Sequence, residues 1–111
     1  MIIVEKNEGQ KIPYEINGNR IDFNDELTLN LEARERDYAM HIDICKDNNG
    51  CLTTGVVPEI TTDYVAQIDI PAREYDYIAD GVDEQGNPKE VPIPLPFDMS
   101  KCTLTLWRLE G

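Results

Sequence analysis

With one histidine, His41, and one serine, Ser100, this 111-residue chain is poorly served for nucleophile–base catalysis. No G-x-S-x-G turn surrounds the serine. No glycine-rich phosphate loop of either common pattern is present. No run of residues approaches the ~20 apolar positions of a membrane-spanning helix. The cysteines, Cys45, Cys51 and Cys102, are odd in number and match no disulfide scaffold, and Met1-Ile2-Ile3-Val4-Glu5 lacks the basic region of a secretory signal. These absences point to a non-enzymatic chain with free thiols in a reducing cytoplasm, with a virion as the alternative location. No cofactor is expected. Basic residues are also scarce, 10 against 22 acids, for a net charge of −12. Such a surface repels phosphate backbones and anionic bilayers, so neither nucleic acid nor a membrane is an expected partner. Acids spread along the whole chain keep a protein soluble, or present a face to a basic partner.

What the chain does have is a period of two. Leu27, Leu29 and Leu31 alternate with Glu26, Thr28, Asn30 and Glu32. Tyr38, Met40, Ile42 and Ile44 alternate with Asp37, Ala39, His41, Asp43 and Cys45; Tyr64, Ala66, Ile68 and Ile70 with Asp63, Val65, Gln67 and Asp69; and Cys102, Leu104 and Leu106 with Lys101, Thr103 and Thr105. Successive side chains of a strand point to opposite faces, so each run predicts a strand with one apolar and one wet face. Residues 25–36 hold good helix formers, but a helix would place Leu29 opposite Leu27 and Leu31, so a strand is predicted over 26–33. Asn17-Gly18-Asn19 lies between two short apolar runs and predicts a hairpin. Asp47-Asn48-Asn49-Gly50 and Gln85-Gly86-Asn87-Pro88 mark further turns. The expected fold is one all-β domain over 1–111, an antiparallel β-sandwich (jelly-roll-like) or partly open barrel of about 8–10 short strands. An exposed acidic loop is expected at about 80–89.

Val91-Pro92-Ile93-Pro94-Leu95-Pro96-Phe97 carries prolines on one parity and apolar residues on the other. Alternate N–H groups of a strand point to the same side, so these prolines strip one side of its donors and predict an edge strand. The apolar parity is expected to face the core. The run could also be read as a polyproline ligand, but its spacing is not the PxxP of that class.

Three sets of residues are candidates for a site. His41, Asp43 and Cys45 project from one face of a predicted strand and are all zinc ligands by type, with Cys51 available beyond the turn. The competing reading is a wet strand face that holds three polar residues, and no second histidine or C-x-x-C supports the metal. A calcium loop at Asp47–Gly50 fails, because its alignment puts Cys45 and Val56 where oxygen ligands are required. Tyr75, Tyr77, Trp107 and Leu109 are candidate interface residues, against a plainer role filling the core or a sheet edge. Asp76, Asp80, Asp83 and Glu84 form the third set, an acidic face able to occupy a nucleic-acid-binding groove on a host or defence protein.

Leu27-Thr28-Leu29-Asn30-Leu31-Glu32, the run Tyr64 to Arg73, and the run Pro96 to Trp107 together resemble small β-rich proteins carried by prophages and related mobile elements of Firmicutes. The resemblance covers most of the chain after residue 13 and implies a mobile-element context. It carries no catalytic or binding residues with it. The expected function is a protein–protein interaction module, structural or accessory in a phage or prophage, that binds a protein partner or assembles with itself. The alternatives are the acidic inhibitor and a small metal protein.

Overall fold

The computed structural model describes residues 1–109 and is all-β, with ten strands and two single 3₁₀ turns. The strands are β1 (Ile2–Glu5), β2 (Tyr14–Asn17), β3 (Arg20–Phe23), β4 (Leu27–Asn30) and β5 (Met40–Asp47). They continue with β6 (Leu52–Thr54), β7 (Thr61–Ile70), β8 (Tyr75–Val82), β9 (Pro88–Pro94) and β10 (Thr103–Leu106). Three sheets result: a five-stranded sheet in the order β1-β10-β7-β5-β6, a three-stranded sheet β2-β3-β4, and the ribbon β8-β9. None of them closes on itself. The pairing departs from the all-antiparallel expectation at one place, because β1 runs parallel to β10.

Local chemistry accounts for the turns. Gly18 takes a φ of 60° between Asn17 and Arg20, which pair directly, so the β2–β3 connection is the tight hairpin the sequence announces. The Asp47 carboxylate accepts from the N–H groups of Asn49 (2.8 Å) and Cys51 (2.9 Å), which closes the β5–β6 turn. The expected strand over 26–33 is shorter than predicted: β4 stops at Asn30, whose side chain accepts from the Ala33 N–H, and Glu32–Arg34 turns as a 3₁₀ segment.

One buried cluster draws on both of the larger sheets. Ile42, Ile44, Ala66, Ile68, Leu104 and Leu106 from the five-stranded sheet join Ile21, Phe23 and Leu29 from the three-stranded sheet, with Ile12, Leu31 and Cys102 beside them. Fully burying each large aliphatic or aromatic side chain among these contributes roughly 1.5–3 kcal/mol. The wet face of the five-stranded sheet is set by register. His41 pairs with Asp69, Asp43 with Gln67, and Gln67 also with Thr105.

One run departs from strict alternation. Ile44 pairs with Ala66 but Cys45 pairs with Tyr64, so Val65 is an extra residue in β7. Such a bulge resets the parity of the strand. Val65 is buried, while Tyr64, expected beside Ala66 and Ile68, is 41% exposed. Tyr38 is likewise exposed and precedes the strand it was expected to begin.

The β8–β9 ribbon stands apart from the body. The molecule measures 66 × 27 × 23 Å with a radius of gyration of 18.8 Å, whereas a compact chain of this length has about 13 Å. Every residue of β9, and every residue of β8 beyond Tyr75, is exposed. The expected loop at 80–89 shrinks to a turn, because β8 runs to Val82 and β9 starts at Pro88. The apolar parity of β9 does not face the core as expected: Val91 and Ile93 are exposed, as is Leu95 just beyond the strand. They belong to a ribbon that forms a sheet of its own and pairs with no strand of the body among the described residues.

Candidate functional site

Two surfaces gather the chain's chemistry. The first is a polar chain across the wet face of the five-stranded sheet. Antiparallel pairing of β5 with β7 brings Asp69 opposite His41, 28 positions away in sequence. His41 Nδ1 lies 2.6 Å from Asp69 Oδ1, and His41 Nε2 lies 2.7 Å from Asp43 Oδ1. Gln67 Nε2 donates to the same Asp43 oxygen at 2.9 Å. The Gln67 carbonyl oxygen in turn accepts from Trp107 Nε1 at 2.9 Å. Trp107 stacks on Tyr64 with centroids 5.6 Å apart, and the Lys6 ammonium sits 5.6 Å from the Trp107 ring. Five side chains from three strands, or just beyond them, are thereby held in one line from Asp69 to Trp107.

An imidazole between two carboxylates is favoured in its charged form. The bond to Asp69 raises the His41 pKa most; burial opposes it, and Asp43 adds to the rise. Both ring nitrogens are engaged, so the group is a proton-dependent tie between β5 and β7.

The zinc set expected from the sequence does not assemble. His41 and Asp43 meet, but the other contact of the imidazole is Asp69 rather than Cys45. Cys45 is 2% exposed and lies beside Tyr64, across from the β7 bulge, with its thiol pKa pushed up by burial. Cys51 is exposed in the turn beyond. Among the described residues no group of three or more histidine, cysteine, aspartate or glutamate side chains stands where it could hold a metal ion. The sequence reading missed Asp69 and Gln67. Their only local signal was the wet parity of β7, shared by many polar residues, and it took the register of β5 against β7 to single them out.

The second surface is the β8–β9 arm. Its root is tied to the body. Arg73 Nε donates to Glu35 at 3.3 Å and Arg73 Nη1 to Asp37 at 3.1 Å, and the Tyr75 hydroxyl donates to Asp37. Lys101 Nζ reaches Glu74 at 2.6 Å. The Arg73 N–H also bonds the Arg36 carbonyl at 2.8 Å, so segment 35–38 runs beside the start of β8. Beyond the root the arm is bare: Tyr77 is 60% exposed, Ile78 51% and Val82 66%. Asp76 pairs with Ile93 and Ile78 with Val91, so these four share one face of the ribbon, while Tyr77 and Ala79 lie on the other.

The four interface candidates separate. Tyr75 and Tyr77 stand on the arm, Trp107 belongs to the polar chain of the body, and Leu109 packs against the core with its N–H on the Gln10 carbonyl. The four acidic candidates stay together on the arm, Asp76 and Asp80 on β8 and Asp83 and Glu84 in its turn. Asp83 also shapes that turn. It accepts from the N–H groups of Asn87 and Gln85, both at 2.8 Å, and these bonds hold its carboxyl below the usual range.

Compared with known proteins, the chain matches no family model, no curated protein and no solved structure. Among the described residues no helix is long and apolar enough to cross a membrane.

Proposed function

We propose that this protein is a non-enzymatic interaction module that grips another protein with its β8–β9 arm, in a structural or accessory role of the phage or prophage type. One observation carries the reading: Ile78, Val91 and Ile93, all exposed, line one face of a two-stranded ribbon that pairs with no other strand among the described residues. An isolated two-stranded hairpin is marginal in water, and an exposed apolar strip of this kind marks an interaction site. The body serves as the platform. It is read as a small open sandwich, supported by the core that its two larger sheets share. A reducing cytoplasm, or a virion assembled there, is the proposed setting, supported by Cys45 and Cys102 buried as free thiols. The mobile-element role rests on the sequence resemblance.

The triple variant Ile78→Ser, Val91→Ser, Ile93→Ser tests the arm. Wild-type protein and a His41→Gln control are expected to retain the same partner from host lysate, and the triple variant to lose it. An unchanged set of bound proteins with the triple variant would remove the arm from the function.

A further inference from the structure

The arm has two edges, and they are not alike. The Leu95 N–H donates to the Glu74 carbonyl at 2.9 Å, and the Asp83 N–H to the Asn87 carbonyl at 2.8 Å. Along β9 the odd-numbered residues therefore turn their backbone polar groups toward β8, and the even-numbered ones turn them outward. Pro88, Pro92 and Pro94 are all even, and Pro96 follows on the same parity, so the outer edge of β9 keeps a donor only at Glu90. A strand cannot pair there.

The outer edge of β8 has kept its donors. Tyr75, Tyr77 and Ala79 present their backbone groups outward, since Asp76 and Ile78 form the inward pairs with Ile93 and Val91. The Tyr75 end lies beside segment 35–38, but from Tyr77 onward β8 pairs with no strand except β9 among the described residues. Among the described residues the Tyr77 N–H is met by the neighbouring Asp76 carboxylate, at 2.9 Å. Charge then sorts the possible occupants. Residues 74–90 hold the acids Glu74, Asp76, Asp80, Asp83, Glu84 and Glu90 against the single base Lys89. Acidic side chains flanking an edge strand repel a second copy of themselves, which is how proteins keep open edges from self-pairing. The same charges attract a basic strand.

We infer that a partner protein adds an extended basic segment to the outer edge of β8, making the arm a three-stranded sheet. This deepens the arm reading above and rests on it. The face shared by Asp76 and Ile78 specifies the chemistry: lysine or arginine beside Asp76, and an apolar residue two positions on beside Ile78. Lysine or arginine follows again near Asp80, where the Gly81 bulge ends the regular edge. Main-chain bonds would supply affinity, and alternate side chains specificity.

The probe is a fluorescein-labelled ten-residue peptide with lysines at positions i and i+4 and valine at i+2, followed by anisotropy. An otherwise identical peptide with glutamates in place of the lysines is the control. The lysine peptide is expected to bind at least tenfold more tightly than the glutamate peptide, and more weakly as salt rises. It is also expected to slow hydrogen exchange at the Tyr77 and Ala79 amides. Ala79→Pro removes an outward donor and leaves the β8–β9 ladder bonds in place, so it should cost binding tenfold or more; Val82→Pro is the second edge variant. Absence of binding at millimolar peptide overturns the inference. So does binding that both proline variants leave unchanged, or a dimer in light scattering that the proline variants dissolve, which would make a second copy the occupant. Partner retention lost in the triple serine variant but kept in both proline variants would leave the arm reading standing and end the edge-pairing one.

Discussion

His41 and Asp69 lie 28 residues apart in sequence and touch through Nδ1 and Oδ1 at 2.6 Å, one hydrogen bond that ties β5 to β7 on the outside of the sheet. The imidazolium donates from both nitrogens, to Asp69 and to Asp43. Neutral imidazole donates from one only and leaves a lone pair facing a carboxylate.

The tie makes stability depend on pH. The folded-state pKa of His41 is raised above its ordinary 6.5, so the folded chain holds the proton more tightly than the unfolded one. The contribution is fully present below 6.5 and is lost as pH rises through the raised value. Melting temperature should therefore fall with rising pH across that window in the wild type, and less steeply in His41→Gln. Parallel curves for the two proteins would refute the tie.

Trp107 is the only tryptophan and reports on the same chain of contacts. Gln67→Ala strips its indole N–H of a partner and should destabilise by about 1 kcal/mol. Tyr64→Ala removes the stacked ring and should cost about 1 kcal/mol beyond the lost area. Urea unfolding followed by Trp107 emission measures both.

Core and arm should respond to truncation to very different degrees. Phe23 is fully buried in the core cluster, and Phe23→Ala should cost about 3–5 kcal/mol. Ile93→Ala on the arm should change stability by less than about 0.5 kcal/mol, because a surface side chain loses little on truncation. A loss above about 2 kcal/mol at Ile93 in chemical denaturation would mean the arm packs on something within its own chain.

The thiols give a third contrast. Cys51 is exposed, whereas Cys45 and Cys102 are buried and burial raises the pKa of both. Native protein should react with iodoacetamide at one site, Cys51, and at three only after unfolding. Mass spectrometry after a timed pulse reads the count.

Much of the all-β architecture was legible because alternation is a local property. Leu104 and Leu106, or Ile42 and Ile44, declare a buried face to anyone who counts by two, and Asn17-Gly18-Asn19 declares its hairpin. The site was less legible. His41 and Asp43 could be placed on one face, but the zinc reading reached for Cys45 because it was next in line, when the neighbour that matters arrives from β7.

The chain by itself determined its strands, its turns, its charge and the parity of its prolines, since each depends on residues a few positions apart. It therefore already determined that one side of the 91–97 run has no N–H donors to offer another strand. Only the tertiary structure decided that Val65 bulges and turns Tyr64 outward onto Trp107, that Asp69 meets His41, and that Val91 and Ile93 face solvent. Each of those outcomes hangs on register and on which surfaces find a partner across the fold, and a period of two reads the same whether its apolar face meets a core or open water.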